Sequence, residues 1–142
     1  MKPLRRFAAC AWTSPNTAIG LLLALLAKLT GGDARVVTGV FETHGGLVTA
    51  LLRRMPTTGT FRRPAGASAL TLGHVVLGVD AAALDRTRTH ERVHVRQYER
   101  WGPLFLPAYA IASLIAWRRG RHAYLDNRFE REAYAVSDGE SA

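Results

Sequence analysis

Apolar residues gather in two runs, Ala18–Leu29 (AIGLLLALLAKL) and Leu104–Trp117 (LFLPAYAIASLIAW), and between Ala81 and Trp101 they are spread at helical spacing among charges. The first run follows the polar stretch Thr13–Asn16 and stops at Gly31-Gly32, which predicts a helix capped by Ser14 or Asn16. Arg35–Thr43 (RVVTGVFET) is rich in β-branched residues, and His44-Gly45-Gly46 reads as a turn into Leu47–Leu52, so the pattern predicts a hairpin. Arg53–Ala67 carries Pro, Gly, Thr and four Arg, as an exposed loop does. Ser68–Leu77 (SALTLGHVVL) reads as one strand leading into a helix capped by Asp80.

Gly102-Pro103 ends that helix, and Leu104–Trp117 forms the next, with Pro107 tolerable in its first turn. Tyr124–Tyr134 begins with turn residues and becomes helical, with Asp126 or Asn127 as cap and Glu130 placed for a capping box. The tail Ser137–Ala142 is small and polar and is expected to fray. This order predicts an α+β fold, a single domain over residues 1–142 in which a short sheet or hairpin packs on the helix after Asp80, with two or three further helices. Residues 1–30 would form a basic and apolar N-terminal helix, residues 68–134 the core, and residues 137–142 the tail.

Charge and cysteine content narrow the chemistry. The net charge of +8 comes from 17 Arg and two Lys, and it favours acidic neighbours, phospholipid headgroups or nucleic acid. No aromatic-interleaved nucleic-acid motif accompanies it, so an anionic membrane surface is the expected partner of the two. A single cysteine, Cys10, excludes an internal disulfide and a cysteine zinc cluster. Any metal must therefore be held by histidine and carboxylate.

The basic start Met1–Arg6 and the apolar run after it resemble a secretory signal, but the polar stretch between them and the lack of a small-x-small cleavage site predict a retained helix. Neither apolar run reaches the roughly 20 residues needed to span a bilayer. Burial or membrane-surface attachment in the cytoplasm is the expectation, with export as the alternative.

The chemistry concentrates in Thr89–Trp101, THERVHVRQYERW, which contains His90-Glu91-x-x-His94. At 100° per residue His90, His94 and Gln97 share one stripe, with Glu91 at its edge and Tyr98 nearby, while Arg88, Arg92, Arg96, Glu99 and Arg100 fall on the opposite side, a face expected to meet water. Two imidazoles one turn apart can bind one Zn²⁺, and the glutamate between them can handle a proton. Catalytic zinc usually takes three protein ligands. The downstream candidates are His122, Asp126, Glu130 and Glu132. Glu130 comes first because Tyr134 follows on its face, Glu132 points about 200° away on a helix, and His122 is the other alternative.

The His90-Glu91-x-x-His94 motif with Gln97, and Glu130-Arg131-Glu132-Ala133-Tyr134 downstream, resembles the zincin metallopeptidases, specifically the gluzincin type in a small bacterial HExxHxxQ form. The resemblance covers about Ser68–Tyr134. It implies that His90, His94 and Glu130 are zinc ligands and Glu91 the general base, with Tyr134 standing where the family has an aspartate that orients a ligand histidine. It further implies hydrolysis of a peptide or protein substrate, with Glu91 taking the proton of an activated water and returning it to the leaving amine. Ser68–Leu77 could hold an extended substrate by edge pairing, and His74, Tyr98, Tyr109 and Tyr124 are chemically able to stabilise an oxyanion. Two other classes remain open: a catalytically inactive zincin-fold binding module with structural zinc, and a basic membrane-surface or nucleic-acid-binding protein.

Overall fold

The computed structural model describes residues 3–55 and 67–140. It is an α+β structure built around a four-stranded mixed sheet of order β1-β2-β4-β3. The strands are β1 (Asp33–Val37), β2 (Val40–His44), β3 (Ala69–Leu72) and β4 (Val75–Gly78), and the helices are α1 (Pro3–Leu29), α2 (Gly46–Arg54), α3 (Ala81–Trp101), α4 (Phe105–Arg118) and α5 (Arg128–Glu140). β1 and β3 run antiparallel to their neighbours, while β2 and β4 pair in parallel.

Both segments read as continuous strands turn out to be hairpins. In RVVTGVFET the chain reverses at Thr38-Gly39, whose φ values of 45° and 81° suit the type I′ turns that join twisted antiparallel strands. In SALTLGHVVL it reverses at Gly73-His74, with Gly73 at φ 61°. The period-2 pattern continues through a two-residue turn, so composition alone hides the break. His44 is accordingly the last residue of β2 rather than a turn residue, and Leu47–Leu52 lies in α2 rather than in a strand. Most of the expected loop Arg53–Ala67 lies outside the described residues.

The central strand β4 is buried along its whole length because both sheet faces are covered. Val75 and Leu77 point to α1 and α2, where they pack with Ala24, Ala27, Val48 and Leu52. Val76 points the other way, to Leu84 and Val95 of α3. Beyond α3, Tyr98, Phe105 and Phe129 join α3, α4 and α5 in a third cluster.

One cross-sheet row is polar except at Val76. The register places Arg35, Glu42, Val76 and Thr71 side by side, from one edge of the sheet to the other, beneath α3. At one end Glu42, 2% exposed, accepts from Arg88 Nε at 2.9 Å and from Arg35 Nε at 3.1 Å. Arg92 donates to the carbonyl of Val37. The arginine side of α3 is thus in part a docking surface onto the sheet, because a buried carboxylate on β2 draws the guanidinium groups inward.

Helix ends follow local chemistry closely. Asp80 Oδ1 accepts from the Ala83 amide at 2.6 Å, and Asn127 Oδ1 accepts from the Phe129 amide at 2.9 Å, two of the expected caps. The expected start of α1 at Ser14 or Asn16 is corrected, since the helix runs through Pro15 from Pro3. Pro15 cannot donate to the Ala11 carbonyl, and Ser14 Oγ occupies that acceptor instead at 2.8 Å. Asn16 is buried and donates to the Gly102 carbonyl at 3.2 Å. As a result the segment Ala8–Leu29 is 22 residues long, long and apolar enough to cross a membrane, where the apolar run alone had looked too short. The expected frayed tail is helical through Glu140.

Candidate metal centre

α3 crosses beneath α5, and the two helices present three donor residues to one point. His90 Nε2 and His94 Nε2 are 3.1 Å apart, His90 Nε2 is 3.1 Å from Glu130 Oε2, and His94 Nε2 is 3.4 Å from Glu130 Oε1. Ligands about 2.0 to 2.1 Å from a tetrahedral zinc ion lie about 3.3 Å from one another, so the spacing of these atoms fits that ion. His94 and Glu130 are buried, and His90 is partly exposed. This group of His90, His94 and Glu130 can hold a metal ion.

Each donor is held by a partner. His94 Nδ1 lies 2.8 Å from Gln97 Oε1, while Gln97 Nε2 donates to the Phe129 carbonyl at 3.0 Å and to Glu132 Oε2 at 2.9 Å. Those two acceptors fix the amide so that Oε1 faces the ring. The Nδ1 hydrogen of His94 is therefore held by Gln97, and Nε2, which faces Glu130 and His90, is the nitrogen left to carry a second proton or to bind a cation. Glu130 Oε1 accepts from the Tyr109 hydroxyl at 2.7 Å. The Tyr134 ring packs edge-on against His90, with centroids 4.5 Å apart.

The electrostatics favour a cation. Burial works to raise the Glu130 carboxyl pKa, but hydrogen bonds with His90 and His94 outweigh it and hold the group well below the usual carboxylate range. For His94 burial works against the charged ring, while the bond with Glu130 and the charge of Glu91 prevail and raise its pKa above 6.5. With no cation, the proton that the raised pKa favours on His94 offsets the charge of Glu130. A divalent ion would displace it.

Glu91 is 6% exposed, and its Oε2 accepts from Thr71 Oγ1 at 2.6 Å. Thr71 stands on the edge strand β3, at the far end of the polar row from Glu42. The residue between the two histidines is thus fixed by the sheet.

The other candidates separate cleanly. His74 bonds Thr13 Oγ1 at 2.9 Å and Glu99 Oε1 at 3.0 Å, and it lines a cleft with Cys10, Arg88, Arg92 and Arg96. Tyr98 is 1% exposed against Phe105, and among the described residues its hydroxyl has no partner. His122 Nδ1 accepts from the Tyr124 and Leu125 amides, which places it in the α4–α5 turn rather than with the donors. Tyr124 and Tyr134 bring their hydroxyls within 3.4 Å of each other. Glu130 is directed at the histidines rather than at a capping box, since both of its oxygens are engaged by His90, His94 and Tyr109.

Sequence reasoning missed Thr71, whose role depends on sheet register, and the part played by Glu132. Pointing away from Glu130, Glu132 braces Gln97 and so reaches the site through an intermediary. No protein-family model, curated protein or solved structure matches the chain.

Proposed function

We propose that the chain is a zinc-dependent hydrolase of the metallopeptidase kind, similar in its chemistry to the gluzincin-type zincins. The observation that carries this reading is the convergence of His90, His94 and Glu130 on one point, with Glu91 on the same helix held by Thr71. When bound by these three residues, zinc supplies Lewis acidity to a water molecule and to a carbonyl oxygen. Glu91 is the group assigned to take the proton of the attacking water and pass it to the leaving amine. Thr71 holds one carboxylate oxygen of Glu91, and the other is the one assigned to that exchange. Gln97 keeps His94 in the tautomer that offers Nε2, and Tyr109 holds Glu130 in place. An extended peptide or protein substrate could add to the edge strand β3, which carries Thr71.

Metal content of the purified protein tests the first half. Wild type should carry one zinc per chain and a His90→Ala, His94→Ala variant none, whereas equal and negligible zinc in both removes the metal site. Activity on unfolded peptides tests the second half. Glu91→Gln should keep the zinc and lose hydrolysis.

The burial of His94 and Glu130 favours one other reading, a binding module in which zinc is structural. It predicts full zinc content, no hydrolysis in wild type, and the same properties in Glu91→Gln.

A further inference from the structure

We propose that α1 and the outward face of α4 sit in the hydrocarbon of an anionic lipid bilayer. α1 is amphipathic in the sense opposite to that of a helix in water, and α4 is largely apolar on both its buried and its exposed sides. The side of α1 turned toward the protein carries Thr13, Asn16, Gly20, Ala24 and Ala27, all buried, and the side turned outward carries Trp12, Ile19, Leu22, Leu25 and Leu29, each 47% exposed or more. A helix on a water-soluble protein buries its leucines and shows its polar residues. In lipid that driving force vanishes, and small residues collect at the protein-facing side because they permit close backbone approach. The approach is close here, since a Cβ on Gly20 would stand 2.7 Å from Val75 Cβ.

α4 also turns large apolar residues outward. Phe105, Ala108, Tyr109, Ala112 and Ala116 face the protein, while Leu106, Ile111, Leu114, Ile115 and Trp117 are exposed. Two hydroxyls on α1 find acceptors within the helix, as suits a lipid environment. Thr13 Oγ1 donates to the Ala9 carbonyl at 3.0 Å and Ser14 Oγ to the Ala11 carbonyl at 2.8 Å.

Charge selects a bilayer as the occupant. Residues 8–29 and 105–122 contain no Asp or Glu, and Trp117, 65% exposed, is followed by the exposed Arg118, Arg119 and Arg121. An aromatic at the interface with arginines just beyond it matches the depth profile of an anionic membrane. The 22 residues of Ala8–Leu29 extend about 33 Å, close to the hydrocarbon thickness. The 14 residues of α4 extend about 21 Å and reach only part way. Through Tyr109, the inner face of α4 forms one wall of the metal site, which places that site about one helix diameter, roughly 10 Å, from lipid. The inference stands whether or not the site holds metal.

The full chain, purified in detergent and reconstituted, can be floated with vesicles of phosphatidylcholine alone or mixed with phosphatidylglycerol. It should float with both after alkaline carbonate washing, with more protein inserting from dilute detergent into the anionic vesicles. In brominated lipid, a variant keeping only Trp117 should be strongly quenched, while one keeping only Trp101 should not. Leu114→Asn with Ile115→Asn, both outward, should lower flotation while the far-ultraviolet circular dichroism and the Trp101 emission stay as in wild type. Protein that remains monodisperse in detergent-free buffer, as a monomer or as a dimer covering this face, and does not float, overturns the proposal, as does equal quenching of Trp101 and Trp117.

Discussion

Gln97 Oε1 accepts the Nδ1 hydrogen of His94 at 2.8 Å, and the Gln97 amide is itself oriented by the Phe129 carbonyl and Glu132. Orientation of His94 thus runs from α5 back to α3 through one fully buried side chain. The resemblance had placed Tyr134 in the orienting position. Tyr134 instead packs on His90, and Gln97, one turn beyond the second histidine, holds His94. Replacing Gln97 by Met should lower zinc affinity about 10- to 100-fold, as loss of such partners typically does. Competition with a chromophoric chelator measures this directly. Glu132→Gln should cost less, because the Phe129 carbonyl still holds the amide.

Thr71 and Glu91 form the corresponding link to the sheet. Thr71→Val removes the hydroxyl that Glu91 Oε2 accepts and leaves a buried carboxylate free to turn. On the hydrolase reading, zinc content should match wild type while hydrolysis falls about 10- to 100-fold, in line with other outer contacts of metal sites. Equal activity in the two proteins would show that Glu91 needs no support from β3.

The donor set was legible because helical spacing fixes which side chains share a face. His90, His94 and Gln97 follow from a 100° step, Glu130 from the face it shares with Tyr134, and Asn127 from the chemistry of a helix start. What was hidden depends on pairing between distant segments. The turns at Thr38-Gly39 and Gly73-His74 lie within continuous β-rich composition, and only the resulting register puts Glu42 under Arg88 and Thr71 under Glu91. The arginine side of α3 looked solvated for the same reason. One buried glutamate on a strand reverses that expectation for Arg88 and Arg92, while Arg96 and Arg100 stay exposed, and no local pattern announces it. The length of α1 was hidden by Pro15, which normally ends a helix but is accommodated here by a neighbouring hydroxyl.

Glu42 also sets a stability prediction. Arg88 and Arg35 bond it directly, Arg92 Nη2 lies 3.7 Å away, and Glu42→Ala leaves these guanidinium groups facing a buried gap. Breaking a buried pair by removing one partner typically costs about 3 to 5 kcal/mol, and the partial exposure of Arg35 and Arg88 places this case near the lower end. Urea unfolding should show a loss of about 3 kcal/mol. A change within experimental error would mean that solvent replaces the carboxylate at no cost.

The metal site carries a pH signature of defined sign. Without metal, the raised pKa of His94 means that its contribution to stability is present below 6.5 and is lost as pH rises through the folded value. The lowered pKa of Glu130 means that its contribution is present above 4.5 and is lost only in strong acid. The stability difference between metal-free wild type and metal-free His94→Gln should therefore be largest between about pH 4.5 and 6.5 and shrink above that range. Taking the difference cancels carboxylates elsewhere, such as Glu42, that titrate alike in both proteins. Zinc should act in the opposite direction. Binding requires that His94 lose its Nε2 proton, so the rise in unfolding temperature on adding zinc should grow as pH increases through the same range. Thermal unfolding at a series of pH values, with and without zinc, reads both trends. A zinc-induced shift that stays constant across the series would show that no proton leaves the His94–Glu130 pair when metal enters.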